Sequence, residues 1–126
     1  MRSLGIDYGS KRVGLALSDE GGTMAFPHAV VRNDASLLKT IVALIEAKRV
    51  EQVVIGHSLG RDGVPNKIHA AVEALIGDLT LEVGIPVHLE PEHYSTQAAL
   101  QIQGRTDMTD ASAAALLLDS FLTRNR

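Results

Sequence analysis

Two short runs near the start of this 126-residue chain, residues 2–8 (RSLGIDY) and 12–18 (RVGLALS), constrain its fold more than any other feature. Each alternates large and small side chains. Leu4 and Ile6 share one face of the first run, and Ser3, Gly5 and Asp7 the other. In the second, Val13, Leu15 and Leu17 are large, while Gly14, Ala16 and Ser18 are small. Period-2 patterning across a Gly-Ser-Lys link reads as a β-hairpin. One of its faces packs bulk. The other is smooth enough for a further element to approach closely.

The rest of the pattern extends this hairpin into a mixed sheet. Residues 24–31 (MAFPHAVV) read as a third strand, and Pro27, which cannot donate to a ladder, places it at an edge. Asn33 and Asp34 are N-cap types ahead of a helical run from Leu37 to Ile45. Residues 53–56 (VVIG) form an apolar run suited to a buried parallel strand. A polar, glycine-rich loop follows, and Ile68, Ala71, Val72, Leu75, Ile76 and Leu79 then recur at helical spacing. Residues 85–89 make a fifth strand. Ser95 and Thr96 cap a short helix to about Gly104, and a last helix runs from about Asp110. An antiparallel meander followed by βα units implies an α/β domain: a five-stranded mixed sheet with helices on both faces. The length suits a single domain over 1–126.

Composition excludes several chemistries. There is no cysteine, which removes thiolate metal sites and thiol nucleophiles. No signal-like segment opens the chain and no apolar run spans a bilayer, so the expectation is a cytoplasmic protein with no membrane partner. The formal charge of −3 argues mildly against a nucleic-acid partner. A carboxylate cluster built to hold cations lowers the apo charge by itself, however.

Three acids stand where they need an explanation. Asp7 ends a strand otherwise fit for the interior, and a buried carboxylate must be protonated, paired or bound to a cation. Glu92 follows strand five, and Asp110 opens the last helix. Each alone has an ordinary reading, as a turn residue or a helix-start acid. The topology brings the ends of strands one and five near each other. The Ala-rich start of the final helix can settle on the small-residue face lined by Gly5 and Ala16. The three carboxylates can then converge, and such an oxygen-rich site suits Mg²⁺ or Mn²⁺. Two ions ~4 Å apart can activate water and stabilise the leaving oxygen of a phosphodiester.

The runs GIDYGSKRVGLALSD, VVIGHSLGRDG, PEHYSTQAA and DASAAALLLDSFL, in this order, resemble the motifs of the YqgF/RuvX family of Holliday-junction-resolvase-like and pre-16S rRNA nucleases. The resemblance covers residues 4–122. It implies a ribonuclease-H-like fold and a divalent-metal nuclease with Asp7, Glu92 and Asp110 as its acidic triad. It also implies a cytoplasmic bacterial setting, with a role in ribosome biogenesis through 5′-end processing of rRNA, in resolving branched DNA, or in both. Family members often have Leu-Pro where His57-Ser58 stand here, and Asp-Glu-Arg where this chain has Pro91-Glu92-His93. A histidine lacks the fixed donor fork of arginine.

Lys11 and Arg12, in the turn beside Asp7, are candidates to position a phosphate. Arg61, Lys67 and Arg105 lie in or beside loops expected on the same side and offer a backbone track. His28, His69 and His88 show no metal-ligand spacing and read as structural or surface residues. Symmetric cutting of a four-way junction would call for a homodimer. Two rivals are weighed. An actin-like or sugar-kinase nucleotide-binding domain uses a similar Asp-x-Gly hairpin but needs two such domains. A non-catalytic nucleic-acid-binding module would lack the acids, and all three are present.

Overall fold

β1 (Ser3–Tyr8) is the middle strand of a five-stranded sheet ordered β3-β2-β1-β4-β5. The structure, a computed structural model, describes residues 1–9, 11–57, 67–90 and 109–124. β2 (Arg12–Ser18) and β3 (Ala25–Arg32) complete an antiparallel meander, and β4 (Gln52–His57) and β5 (Val87–Leu89) run parallel to β1. Three helices are described: α1 (Leu37–Lys48), α2 (Lys67–Val83) and α3 (Thr109–Arg124). Mixed sheet, central first strand and edge position of Pro27 all agree with the sequence patterns. Pro27 sits beside an irregularity: Leu15 pairs with Ala29 but Ala16 with Pro27. That leaves His28 as the extra residue of a bulge, where a missing N–H costs no ladder bond.

The alternation in β1 and β2 separates two cores. Leu4, Ile6, Val13 and Leu15 pack with Val53 and Ile55 against Ile41 and Ile45 of α1 and Val72 and Leu79 of α2. On the other face, Ala16 and Val54 meet Ala114, Leu117, Leu118, Phe121 and Leu122 of α3. Each fully buried Leu, Ile or Val contributes about 1.5–3 kcal/mol, so the thicker aliphatic layer carries more of the stability. The thinner layer has a geometric role. A Cβ at Gly5 would stand 2.9 Å from the Ala114 carbonyl oxygen and 2.9 Å from Leu118 Cβ. α3 therefore lies almost directly on the backbone of β1.

α3 is also tied at its far end. Glu90, just past β5, is buried and pairs with the Arg124 guanidinium in the last turn of the helix. Its backbone N–H donates to the Ile55 carbonyl at 2.8 Å. His88 stacks on Phe121 with ring centroids 5.0 Å apart, which accounts for this histidine structurally.

Some boundaries differ from those the sequence predicts. The fifth strand starts at Val87 rather than residue 85, although the Pro86 carbonyl already accepts from the Val53 N–H of β4. Asn33 and Asp34 do not cap α1. Ser36 occupies the cap position without a side-chain cap bond, and Asp34 instead accepts from the Ser36 N–H and hydroxyl. The last helix begins one residue earlier than expected, at Thr109. The short helix expected from Ser95 to Gly104 lies outside the described residues.

Two outcomes test this packing. Gly5→Ala should destabilise the protein by about 1–3 kcal/mol, since a helix backbone rather than a flexible tip must move. A midpoint unchanged in urea would mean α3 does not press on β1. Arg124→Ala leaves the buried Glu90 carboxylate without its cation. Because Arg124 is itself half exposed, we expect a loss of about 1–3 kcal/mol rather than the full value for a wholly buried pair, read by thermal or chemical denaturation.

Candidate functional site

The carboxylate-bearing end of β1 is shaped by what its neighbours lack. Asp7 is 8% exposed and ends the smooth face of the strand. Its register partners are Gly14 on β2 and Gly56 on β4. Neither neighbour places a side chain beside the carboxylate on its own face. The row continues to Glu90, which follows Leu89, the partner of Ile55. Alternation puts Glu90 on the Asp7 face, two strands and ~10 Å away. Two acids thus stand level on one face with a glycine between them. Glu90 was not singled out in the sequence, where it reads as an ordinary residue at a strand end.

The turn after Asp7 is held from two directions. A Cβ at Gly9 would meet the Arg12 carbonyl oxygen at 2.5 Å, so the link closes too tightly for a larger residue. Asn33 then fastens it to the end of β3. Its side-chain Nδ2 donates to the Gly9 carbonyl at 2.8 Å, and its backbone N–H donates to the Lys11 carbonyl at 3.0 Å. Sequence reasoning took Asn33 for a helix-start residue. Only the pairing of β2 with β3 shows that it reaches the active-end turn, and no local signal could have done so.

Lys11 and Arg12 are exposed beside this turn, as expected. Arg12 is the register partner of Arg32, a second residue the sequence did not flag. Asp34 follows closely, and its carboxyl is held below the usual range, first by the Ser36 hydroxyl and N–H and last by the charge of Arg32. The local balance at this end is therefore basic around a buried acid, although the whole chain carries −3.

Of the other expected site residues, Asp110 is the second residue of α3, one turn before Ala114, the residue whose carbonyl faces Gly5. Its side chain lies outside the described part. Lys67 is the first residue of α2. Glu92, Arg61 and Arg105 lie outside the described residues. β5 itself ends close to the level of Asp7. Among the described residues, no three His, Cys, Asp or Glu side chains gather to hold a metal, and no helix is long and apolar enough to cross a membrane.

Comparison with known proteins places this arrangement. A Maridesulfovibrio salexigens protein named "Putative pre-16S rRNA nuclease" is 32% identical over 98% of this chain and 99% of its own length. Two solved structures share the fold. Thermus thermophilus RuvC in complex with a Holliday junction substrate superposes with a TM-score of 0.63 at 21% identity, covering 99% of this chain and 96% of that one. The fowlpox virus Holliday junction resolvase gives 0.63 at 12% identity, with both chains covered in full. The sheet order, with α1 and α2 on one face and α3 on the other, is thus the ribonuclease-H-like arrangement. The model of the RuvX family, described as Holliday junction resolvase, matches residues 1–124, and the chain belongs to that family.

Proposed function

We propose that this protein is a divalent-metal-dependent nuclease that hydrolyses phosphodiester bonds in nucleic acid, with Asp7, Glu92 and Asp110 as its metal-holding acids. The observation that carries the reading is the Asp7 carboxylate, buried at the end of the central strand with glycine on both sides. A carboxylate fixed at this depth by the central strand is well placed to join other acids around a cation. Glycine at the register position on both neighbouring strands keeps their side chains off the carboxylate.

The donor set fits the proposed ions. Three carboxylates, with no thiolate anywhere in the chain, make a hard oxygen site suited to Mg²⁺ or Mn²⁺. Bound there, such ions would supply an activated water and charge stabilisation for the departing oxygen. The chain's own residues do the rest. Asp7 is fixed by the central strand, Glu92 follows the β5 end that Arg124 holds through Glu90, and Asp110 rides on α3. Lys11 and Arg12 place the phosphate backbone, with Arg61, Lys67 and Arg105 as candidates for a longer track.

Two substrate classes follow from the relatives' names: pre-16S rRNA, and Holliday junctions. A single cut in rRNA needs one copy of this site. Paired cuts in a four-way junction need two copies related by a two-fold axis. A cleavage assay with Mg²⁺ and Mn²⁺ on a ribosomal-RNA precursor, single-stranded RNA and a four-way DNA junction separates these cases. The reading as a binding module without catalysis predicts retention of all three nucleic acids and no cleavage of any.

Two variants test the roles. Second-sphere changes around metals commonly cost 10–100-fold, so removing a ligand charge in Asp7→Asn should reduce cleavage by at least about 100-fold. The fold and most nucleic-acid binding should persist. Wild-type rates for this variant in Mn²⁺ would remove Asp7 from the metal site. For binding, the double variant Lys11→Ala/Arg12→Ala should bind more weakly and flatten the dependence of log K on log salt by ~0.7–0.9 per lost phosphate contact. An unchanged slope would show that this turn does not touch the backbone.

A further inference from the structure

Asn33 makes a connection that neither strand ladder beside it supplies. The β1–β2 ladder ends at Tyr8 and Val13, and the β2–β3 ladder at Arg12 and Arg32. Asn33 stands just beyond the last of these pairs and reaches past β2 to the link that follows β1. Its Nδ2 donates to the Gly9 carbonyl at 2.8 Å, and its backbone N–H donates to the Lys11 carbonyl at 3.0 Å. One residue of β3's end thus holds both ends of the link between β1 and β2. Gly9 is only two residues past Asp7, within ~7 Å along the chain. Any shift of this link is a shift relative to the buried carboxylate.

We infer that Asn33 is a positioning residue for the nucleic-acid substrate, fixing the link that leads through Lys11 to Arg12 before a phosphate arrives. A carbonyl oxygen carries partial negative charge and opposes an approaching phosphate. Gly9 and Lys11 both turn theirs toward β3, each into a donor of Asn33. A link already held in place also loses less conformational freedom on binding. The carboxamide suits this task because its nitrogen only donates. An alanine would leave the Gly9 oxygen open, while the backbone bond to Lys11 persists. Asn33 itself need touch no phosphate; it acts through the link. The inference rests on the reading of Lys11 and Arg12 as phosphate contacts, and it adds the residue that sets their place.

The test separates positioning from plain stability. Wild-type protein is titrated in EDTA with fluorescently labelled single-stranded RNA and with a labelled four-way DNA junction. Asn33→Ala, Asn33→Gln, Lys11→Ala/Arg12→Ala and the combination of Asn33→Ala with that pair are titrated beside it. Gln52→Ala is the control. Its carboxamide donates to the Ser3 hydroxyl at 2.8 Å, at the opposite end of β1. Asn33→Ala should weaken binding by about three- to tenfold, within the range found for coupled neighbours. Asn33→Gln, which keeps the donor, should retain more affinity than Asn33→Ala. Added to Lys11→Ala/Arg12→Ala, Asn33→Ala should cause little further loss. Gln52→Ala should lower the melting temperature and leave affinity unchanged. A fully additive loss in the combined variant would overturn the inference, since Asn33 would then act elsewhere than through the link. So would equal losses of affinity in Asn33→Ala and Gln52→Ala, or a lowered melting temperature of Asn33→Ala with unchanged binding. If Lys11→Ala/Arg12→Ala binds like the wild type, the phosphate reading of the turn falls first, and Asn33 with it.

Discussion

The close seat of α3 on β1 is the constraint from which the rest of the molecule follows. Its origin is steric. Gly5 leaves no room for even a methyl group beneath Ala114 and Leu118, Ala16 and Ala114 belong to the same thin layer, and Ala111 and Ala113 in the first turns of α3 are buried too. A conventional helix-on-sheet contact with large side chains would lift α3 by the thickness of a side-chain layer. Here the first turn of the helix, where Asp110 stands, is held down toward the face that carries Asp7. The opposite face pays no such restriction and is filled with Leu, Ile and Val in the ordinary way.

Much of this was readable from period-2 alternation, because residue size alternated with it. Leu4 and Ile6 against Gly5 and Asp7 announced a sheet with one thick and one thin side. The Ala-rich helix start announced what would cover the thin one. Chain ends of elements were harder to place. Pro86 looked like part of a strand because Ile85 and Val87 flank it, but its carbonyl serves as a neighbour to β4 before the ladder proper begins. Asn33 was misread for a related reason. Its side chain is used 24 residues away, at Gly9, and capping preference is a local rule that cannot see such a partner. Glu90 and Arg32 escaped notice because their meaning depends on register: one lies level with Asp7, the other opposite Arg12.

Electrostatics at the site end run against the net charge of the chain. Asp7 is buried on one face of the sheet and Glu90 is paired with Arg124, while Lys11, Arg12 and Arg32 lie exposed toward the β2–β3 side of the same end, with Asp34 beside them. A long-range field calculated from the total of −3 would miss this separation, since screening at physiological salt confines each group's influence to about 8 Å. What an approaching polyanion meets is set by the nearest side chains.

The sheet order also bears on how the chain assembles. β1 pairs with β2 and β2 with β3 through short connections, so the meander can close early. The other edge of β1 waits for β4, and Ser3 and Gln52 are 49 residues apart. Contacts of long sequence separation form late because their loop entropy must be met first. During synthesis, β1 is therefore an open edge for as long as it takes to make α1 and β4. It displays Leu4 and Ile6, and it is a natural point for wrong pairing between nascent chains. The strand that ends in the buried Asp7 thus gains its second partner only after α1 has been made.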